Sequence, residues 1–503
     1  MKTDLSAEEL FKAGEGITYS DFTMLDNTFT DIGKEQISLK TNLGKNIELQ
    51  IPIIASPMDT VTNAEVCIAL AQEGGIGVIH YNQKDALGDS DVNAQIKEIE
   101  KVKRFQNGFI EDPVTISPEN TIAEAIEKGK LFRTGKNVID TFPVTENGLP
   151  DGKLVGLLRK SDYRRTQFTD LKVKERMVSL EKIVVGKGDL TLDEANDILW
   201  NKHVPYLPII DENQHLKYLV TQSDIEKNEK YPLATKDEFQ KLRVLFAVET
   251  WEEKAYDRLE KGFAAGADGV VVDTSQGFTK FSKEMLTYIK NKFPEKLLIG
   301  GNISTVEAAL FLREIGVDSF RCGQGPGSIC TTAGAIGISR AAASSIYWSA
   351  KALNDYDFIN SPKTIADGGI KEVGDITKAL GIGAHAVMLG NMLAGSEEGH
   401  GEVIPNPETG IPYKVYRGMG SKEANVGEIR GYSKLPQGIS GRVRYKGSIH
   451  EWIPLIVDGL TSSFQVMNCK SIKDIHDKLY NNTLRFEKRT VGSIKESGVH
   501  DIS

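Results

Sequence analysis

Cysteine is scarce in this chain. Its 503 residues include four cysteines, and none of them forms a Cys-x-x-Cys pair or a spacing typical of a zinc site. This scarcity argues against a disulfide-stapled secreted scaffold and against a zinc module. The simplest setting for such a chain is the reducing cytoplasm.

Long apolar runs and an excess of positive charge are missing as well. No stretch of 18 apolar residues occurs, and the segment that begins Met1-Lys2-Thr3-Asp4 lacks the apolar core of a signal peptide, so we expect neither membrane insertion nor secretion. The net charge of −9 argues against a protein that coats nucleic acid, because phosphate-backbone binders normally carry a basic patch. An acidic chain can still bind small phosphorylated ligands through the backbone N–H groups of glycine loops.

A phrase that recurs along the chain predicts a (β/α)8 barrel, also called a TIM barrel. In this phrase a glycine and a small residue end a helix, and a short apolar strand follows that ends in a glycine or a polar residue. It recurs at residues 74–80, 266–273, 316–323 and 383–390. Apolar strands that alternate with helices indicate a parallel sheet covered on both faces, and the polar tips after them are where such a barrel builds its active site. The competing architecture is a doubly wound open sheet, but no Gly-x-Gly-x-x-Gly motif follows a first strand with an acidic residue about 20 positions later.

The middle of the chain follows a different pattern, which occurs twice. A unit near residues 113–162 contains a helix and apolar strands and ends in Ser161-Asp162, and about 60 residues later a similar unit ends in Thr221-Gln222-Ser223-Asp224. Such an internal repeat marks two copies of one supersecondary unit. We therefore predict three segments: the first part of the barrel at 1–107, an insert at 108–236, and the second part of the barrel at 237–503.

The most informative stretch reads Gly-Pro-Gly-Ser-Ile-Cys-Thr-Thr and spans residues 325–332; we call it the cysteine loop. It sets Cys330 against a run of backbone N–H groups with little side-chain cover. Groups of this kind cradle phosphate and lower the pKa of a thiol, and the thiolate is the form that attacks carbon. The sequence therefore predicts that one segment both holds a nucleotide and attacks it. The alternative is a glycine turn beside a buried, unreactive cysteine.

The insert resembles a tandem pair of cystathionine-β-synthase-type (CBS) domains, and the chain as a whole resembles the IMP dehydrogenase/GMP reductase family. The second resemblance rests on several phrases in the expected order. They are Ser-Pro-Met-Asp-Thr-Val-Thr at 56–62, Asp-Thr-Ser-Gln-Gly at 273–277, the cysteine loop, Asp-Gly-Gly-Ile at 367–370 and Tyr-Arg-Gly-Met-Gly-Ser at 416–421. The resemblance implies NAD-dependent oxidation of inosine 5′-monophosphate (IMP) to xanthosine monophosphate, a step of guanine nucleotide biosynthesis.

The resemblance also implies which residues do this chemistry. Cys330 would add to C2 of the purine, a hydride would pass to NAD, and water would then release the product. The other catalytic candidates are Thr332, Arg430 and Tyr432. The substrate-binding candidates are Ser56, Met58, Ser328, Asp367, Gly369, Gly390, Asn391, Tyr416, Met419, Gly420 and Gln437. The candidates for the NAD side are Asp273, Ser275, Asn302 and Gly323. For Asp273 and Asp367 the alternative is an aspartate that caps the following turn or helix.

The family further implies a potassium ion and an oligomer. The ion would be held by backbone carbonyls of Gly325, Gly327 and Cys330 and by the tail of a neighbouring subunit, at Glu496, Ser497 and Gly498. Ser497 stands where glycine is usual, and a carbonyl ligand survives that change if the backbone angles suit serine. We expect a homotetramer or an octamer, with a purine nucleotide effector at the insert; the alternative is an insert that binds nothing. Neither nucleic acid nor a membrane is expected as a partner.

Two departures from the family pattern keep other functions open. An adjacent Arg-Tyr pair is usual in the flap, but here Arg430-Gly431-Tyr432 stands on a shortened segment, and Ala333 replaces the arginine that usually follows the cysteine loop. For Arg430 the alternative is a solvated loop charge, and Thr332 and a neighbouring glutamate are the substitutes for it as the base. One alternative function is GMP reductase, which uses NADPH and the same cysteine adduct but releases ammonia and needs no water-activating flap. The other is a nucleotide-sensing relative that keeps the barrel without turnover.

Overall fold

A computed structural model describes residues 4–26, 28–83, 91–105, 109–110, 113–132, 138–163, 169–222, 230–250, 253–357, 361–424 and 435–497. The chain divides into two compact units: Met1–Val102 with Arg243–Ser503, and Lys103–Leu242. Within the described ranges, no helix combines the length and the apolar character that crossing a membrane requires.

Both units contain strands and helices, and these alternate through the larger one. Numbered along the chain, the described strands are β1 (Phe22–Met24), β2 (Thr41–Asn42), β3 (Glu48–Leu49), β4 (Ile53–Ala55), β5 (Ile76–Ile79), β6 (Phe142–Thr145), β7 (Leu154–Leu158), β8 (Val178–Ser179), β9 (Gly186–Lys187), β10 (Tyr206–Ile210), β11 (Leu216–Thr221), β12 (Leu245–Val248), β13 (Gly269–Val272), β14 (Leu297–Ile303), β15 (Ser319–Cys322), β16 (Lys363–Asp367), β17 (Ala386–Leu389), β18 (Tyr413–Arg417), β19 (Ser440–Arg444) and β20 (Phe486–Lys488). The described α-helices span Ala7–Leu10, Ala64–Gln72, Val92–Arg104, Ile122–Leu131, Leu192–Lys202, Glu253–Ala264, Lys280–Lys292, Val306–Ile315, Thr332–Ile336, Ala342–Asp357, Val373–Gly381, Ile449–Val466, Ile472–Tyr480 and Val491–Glu496.

The larger unit is built around a closed barrel of eight parallel strands, which confirms the predicted (β/α)8 fold. The order around the barrel is β12-β13-β14-β15-β16-β17-β4-β5, and β5 pairs with β12 to close it. The strands are apolar because both of their faces are covered, by side chains inside the barrel and by helices outside. One cluster of buried side chains fills the interior, with Ile54, Val78, Val271, Ile365 and Met388 among its members.

The two ends of this barrel differ. The hairpin of β2 and β3 contributes Leu43, Ile47 and Leu49 to the interior cluster. The Leu43 carbonyl accepts a hydrogen bond of 2.6 Å from Ser319 Oγ at the start of β15. The hairpin therefore closes the amino end, where the strands begin. The carboxyl end, where the strands finish in polar residues, is left for the functional site.

The glycines of the recurring phrase have a shared backbone role. Gly74, Gly266, Gly316 and Gly383 all have positive φ, between +84° and +109°. Side chains rarely tolerate this left-handed region, whereas glycine enters it without a steric penalty. Each glycine lets the chain leave a helix and turn into the next strand, which explains why the phrase recurs.

The smaller unit contains two similar halves. In one half β6, β7 and β8 form a sheet in that order, and in the other half the order is β11, β10 and β9. Each half has a helix that begins with the same capping box, made by Thr121 with Glu124 and by Thr191 with Glu194. The box satisfies backbone N–H groups that the first turn of a helix leaves without partners. The two halves therefore share a capped helix and a three-stranded sheet.

Candidate active site

The cysteine loop follows β15 at the carboxyl end of the barrel. Cys330 is half-buried, whereas Cys67, Cys322 and Cys469 are buried. Burial raises the pKa of Cys322 to about 12 and the pKa of Cys469 to about 11, so these thiols are poor nucleophiles at neutral pH. Cys330 is the thiol that a ligand can reach, and the alternative of a buried cysteine in this loop does not hold.

Cys330 begins a row of polar side chains that ends at Gln437. Its Sγ lies 3.1 Å from Thr332 Oγ1, and Thr332 Oγ1 lies 3.2 Å from Gln437 Oε1. The backbone fixes this arrangement, since Thr331 N–H donates to the Gln437 carbonyl and Cys330 N–H donates to the Gly327 carbonyl, both at 3.0 Å. Two segments that are distant in sequence therefore place a thiol, a hydroxyl and an amide side by side.

Four predicted substrate residues lie around a fifth, Gly390, in the loop after β17. A Cβ at this glycine would stand 3.0 Å from Met58 Sδ, 3.2 Å from the Tyr416 hydroxyl and 4.0 Å from Ser56 Cβ. Ser328 Oγ lies 3.4 Å from the same hydroxyl. Burial raises the pKa of Tyr416, so its hydroxyl keeps its proton and can donate. Glycine keeps this space open, because a side chain at this position would crowd the Met58 and Tyr416 side chains.

The turn after β16 packs on the cysteine loop. Gly368 and Gly369 have φ of +89° and +80°, values that favour glycine. A Cβ at Gly368 would stand 3.0 Å from Pro326 Cγ, and one at Gly369 would stand 3.5 Å from Pro326 Cβ. The two glycines therefore bring Asp367, at the end of β16, into direct proximity with the loop that carries the nucleophile.

Sequence reasoning missed Arg321, which lies inside β15 and joins two predicted residues. Its Nε and Nη2 donate to Asp367 Oδ2 at 3.1 and 2.8 Å, and its Nη1 pairs with Asp273. Burial would lower the pKa of Arg321, but the two carboxylates outweigh burial and raise this pKa. The charged arginine therefore fixes both carboxylates. An arginine within an apolar strand requires a charged partner, and that was the available signal.

Asn302, near the carboxyl end of β14, completes this network. Its Nδ2 donates to Asp367 Oδ2 at 2.7 Å and to the Gly323 carbonyl at 2.9 Å. Within the described part of the chain, its Oδ1 is buried and has no hydrogen-bond partner. A buried acceptor without a partner is costly unless a ligand supplies a donor, so this position fits a carboxamide such as that of NAD. Ser275, another candidate for the NAD side, contacts the segment after β15, because its carbonyl accepts a hydrogen bond of 3.0 Å from Gln324 Nε2.

The other described substrate candidates lie on segments that flank the cysteine loop. The Gly420 carbonyl accepts from Gln437 N–H at 3.1 Å. Met419 packs against the interior cluster of the barrel. The Asn391 carbonyl accepts from Lys446 Nζ at 2.6 Å. These contacts place Gln437 between the cysteine loop and the segment that carries Met419.

The potassium candidates fall on two parts of the chain. Gly325 has φ +91°, and the Gly327 carbonyl already accepts one hydrogen bond, from Cys330 N–H. Ser497, which follows the helix Val491–Glu496, has φ −81° and ψ 0°. Serine adopts these angles freely, so its presence in place of glycine does not prevent a carbonyl ligand.

Three candidates lie outside the described residues: Arg430, Tyr432 and Gly498. Two strands flank the first two of them. These strands, β18 and β19, pair in antiparallel register from Tyr413 with Arg444 to Arg417 with Ser440. The roles of the three residues stay predictions.

Comparison with known proteins decides the family. The family model described as IMP dehydrogenase / GMP reductase domain matches residues 16–500. This chain belongs to that family. It is 39% identical to inosine-5′-monophosphate dehydrogenase of Aquifex aeolicus, over 98% of this chain and 96% of that protein. It is 33% identical to the enzyme of the same name from Toxoplasma gondii, over 99% of this chain and 97% of that protein.

Solved structures of the family share the fold. A crystal structure of a Trypanosoma brucei GMP reductase variant in complex with guanosine 5′-monophosphate matches with a TM-score of 0.87 and 31% identity, over 99% of this chain and 100% of that chain. The same organism's GMP reductase in complex with guanosine 5′-triphosphate matches with a TM-score of 0.76 and 28% identity, over 95% of this chain and 99% of that chain. The fold identifies the family and does not separate its two activities.

Proposed function

We propose that this chain is an IMP dehydrogenase, an NAD-dependent oxidoreductase that converts IMP to xanthosine monophosphate in guanine nucleotide biosynthesis. The observation that carries the proposal is the reachable thiol of Cys330, with Thr332 and Gln437 beside it. Sequence relatives at 33–39% identity over nearly the whole chain are named inosine-5′-monophosphate dehydrogenase, which favours this activity over the reductase.

In the first step, the Cys330 thiolate adds to C2 of IMP. The sulfur–carbon bond forms while the π pair of the C2–N3 bond moves to N3, and that double bond re-forms when C2 loses its hydrogen as a hydride. NAD, when bound, accepts this hydride. The purine stays attached to the sulfur, and covalent attachment divides one difficult oxidation into two easier steps.

In the second step, water adds to C2 and gives one proton to a base and the other to N3. The carbon–oxygen double bond of the product forms as the carbon–sulfur bond breaks, and its electron pair returns to sulfur as the Cys330 thiolate. Thr332 Oγ1 touches both the sulfur and Gln437, so this hydroxyl is placed to orient the water. Gln437 is an amide and is not a base at neutral pH, so its role is to position. The proposed base is Arg430, with Tyr432 as its partner, as the family resemblance implies; Thr332 and a neighbouring glutamate are the alternatives.

Three groups of residues would hold IMP. The proposed phosphate ligands, which supply hydroxyl and backbone N–H donors, are Ser328, Gly369, Gly390, Asn391 and Tyr416. Asp367 would bind the ribose hydroxyls through Oδ1, because its bonds to Arg321 and Asn302 use Oδ2. The residues proposed to line the base are Ser56, Met58, Met419, Gly420 and Gln437.

NAD and potassium are also assigned to the carboxyl end of the barrel. Asp273, Ser275, Asn302 and Gly323 would lie on the nicotinamide side, where Asn302 Oδ1 fits the carboxamide donors. A potassium ion would order the cysteine loop through the carbonyls of Gly325, Gly327 and Cys330. Its other ligands would come from residues 496–498 of a neighbouring subunit, so activity is expected to depend on potassium and on assembly.

We further propose that the insert at 108–236, which falls within the unit Lys103–Leu242, is a CBS pair that binds a purine nucleotide effector, in a cytoplasmic homotetramer or octamer. Its two halves, each with a capped helix and a three-stranded sheet, support a tandem repeat. Titration of the protein with ATP and with GTP by calorimetry tests the effector. A protein that lacks residues 108–236 and shows the same binding would contradict the assignment.

GMP reductase is the second candidate function, because the structure with a TM-score of 0.87 is a reductase with bound guanosine 5′-monophosphate. Steady-state assays of the purified protein with IMP and NAD, and with GMP and NADPH, separate the two. We expect NADH formation with IMP, and a higher rate with potassium than without. NADPH oxidation with GMP as the only activity would reverse the assignment. A protein that binds IMP tightly and turns over neither pair would be a sensor.

A further inference from the structure

The ion pair of Asp59 and Arg417 joins two sides of the site and has no role in the chemistry above. Arg417 Nε lies 3.2 and 3.1 Å from the two carboxylate oxygens, and Nη2 lies 2.8 Å from Oδ2. The side chain of Asp59 is 5% exposed and that of Arg417 is 32% exposed. Bidentate pairing of this kind is the strongest way in which arginine binds a carboxylate.

Both partners are held a second time. Asn82 Nδ2, after β5, donates to Asp59 Oδ2 at 2.7 Å and to the Ala424 carbonyl at 3.3 Å. Arg417 N–H donates to Thr60 Oγ1 at 3.1 Å. The loops after β4 and β5 are therefore tied to β18 and to the segment that follows it.

Sequence position connects this pair to the proposed substrate residues. Asp59 directly follows Met58, and Arg417 directly follows Tyr416. Met58 Sδ and the Tyr416 hydroxyl both lie within 3.2 Å of the Cβ position of Gly390. A movement of β18 away from the β4 loop would separate these two side chains.

We propose that Asp59 and Arg417 are positioning residues for IMP, and that their ion pair sets the width of the groove between the β4 loop and β18. This inference rests on the proposed function. A buried carboxylate that loses its partner stays desolvated and uncompensated, so breaking the pair displaces Asp59 and with it Met58. The nicotinamide-side residues are carried by other strands, Asp273 directly after β13 and Asn302 near the carboxyl end of β14, so we expect NAD binding to be independent of this pair.

The test compares Arg417→Gln, Asp59→Asn and Arg417→Lys with the wild type. We expect the first two variants to raise the KM and the calorimetric Kd for IMP about tenfold or more and to change the KM for NAD by less than about twofold. Arg417→Lys keeps the charge and loses the bidentate contact, so its loss should be intermediate. The double variant Asp59→Asn/Arg417→Gln should be no weaker than either single variant, since all three remove one interaction.

The matched control is the ion pair of Arg243 and Asp268, at 3.0 Å, at the amino end of the barrel. Its side chains are 16% and 7% exposed, so it is similarly buried but distant from the proposed ligand. Arg243→Gln should lower the melting temperature and leave both KM values unchanged. The inference is overturned if Arg417→Gln binds IMP normally, if it raises both KM values equally, or if Arg243→Gln weakens IMP binding as much.

Two further readouts keep the test decisive. If Asp59→Asn does not fold, the two Arg417 variants decide, because that side chain is partly exposed. If the wild type does not oxidise IMP with NAD, the proposed function fails; the calorimetric Kd for IMP then still shows whether the ion pair matters for nucleotide binding.

Discussion

The two ends of the barrel use buried polar groups in different ways. At the carboxyl end, Arg321 and Arg417 each tie together segments that are distant in sequence and that carry proposed ligand-binding residues. At the amino end, Arg243, which precedes β12, pairs with Asp268, which precedes β13. There too, the rings of His385 and His476 meet edge to face with centroids 4.9 Å apart. The amino-end groups serve the fold, whereas the carboxyl-end groups also orient atoms that would meet the ligand.

Removal of the Cys330 thiol should have the largest effect and would locate the chemistry at the carboxyl end. Cys330→Ala is expected to lower kcat/KM for IMP by more than about a thousandfold, as loss of a covalent nucleophile does. Cys322→Ala, which changes a buried thiol in β15, should lower it by less than about tenfold. Steady-state kinetics compare the two variants, and equal losses would contradict the assignment.

Arg321→Gln sharpens the contrast between the ends. Two partly buried carboxylates, Asp273 and Asp367, lose their partner, so we expect kcat/KM to fall about a hundredfold and the free energy of unfolding to fall by about 3 kcal/mol. Asp268→Asn at the amino end should lower stability without lowering kcat/KM. Denaturant unfolding and steady-state kinetics on both variants test this expectation. Full activity in Arg321→Gln would show that this arginine does not orient the two carboxylates for activity.

Acid should weaken the amino end through its two histidines. Burial is the main cause that holds the pKa of His385 well below its ordinary value and lowers the pKa of His476 to about 4. Both are neutral in the folded state, and in the unfolded chain they protonate near pH 6.5. Their contribution to stability is therefore complete above pH 6.5 and falls below it, by about 1.4 kcal/mol per pH unit for each group, until the folded pKa is reached.

Denaturant unfolding between pH 7.5 and 5 measures this loss. His476→Asn, which cannot titrate, should show a smaller decrease of unfolding free energy with falling pH than the wild type. The same slope in both proteins would show that this histidine is not held neutral in the folded state.

Ser319→Ala should have the smallest effect. It removes the hydrogen bond that Ser319 Oγ donates to the Leu43 carbonyl of the hairpin that closes the amino end. We expect a loss of about 1–3 kcal/mol in the free energy of unfolding, because the carbonyl is left buried without this donor, and no change in kcat. A fall in kcat with unchanged stability would mean that the amino end contributes to the chemistry.

Local sequence patterns were sufficient for the barrel and for the cysteine loop. The positive φ of Gly74, Gly266, Gly316 and Gly383 explains why one phrase marks each joint between helix and strand. Cys330 could be found because glycines and short polar residues around a thiol are a local signal. The roles of residues that bind through their backbone came from the family resemblance, since every residue has a backbone carbonyl and the residue type does not show which of them bind a ligand.

Contacts between distant segments could not be predicted from one sequence. Arg417 and Asp59 are 358 positions apart, and the local sequence around either residue does not predict the other as its partner. Arg321 lies in a strand whose sequence phrase predicts an apolar segment, and the sequence does not show that Asp273 and Asp367 are the partners that its charge requires. Thr332 and Gln437 are 105 positions apart, and only the fold brings them together.

Mass spectrometry of the protein after incubation with IMP and NAD tests the central claim most directly. We expect a purine nucleotide attached through C2 to the peptide that contains Cys330, no attachment at the three buried cysteines, and no adduct in Cys330→Ala. Turnover of IMP to xanthosine monophosphate by Cys330→Ala at the wild-type rate, or an adduct on another cysteine, would contradict it.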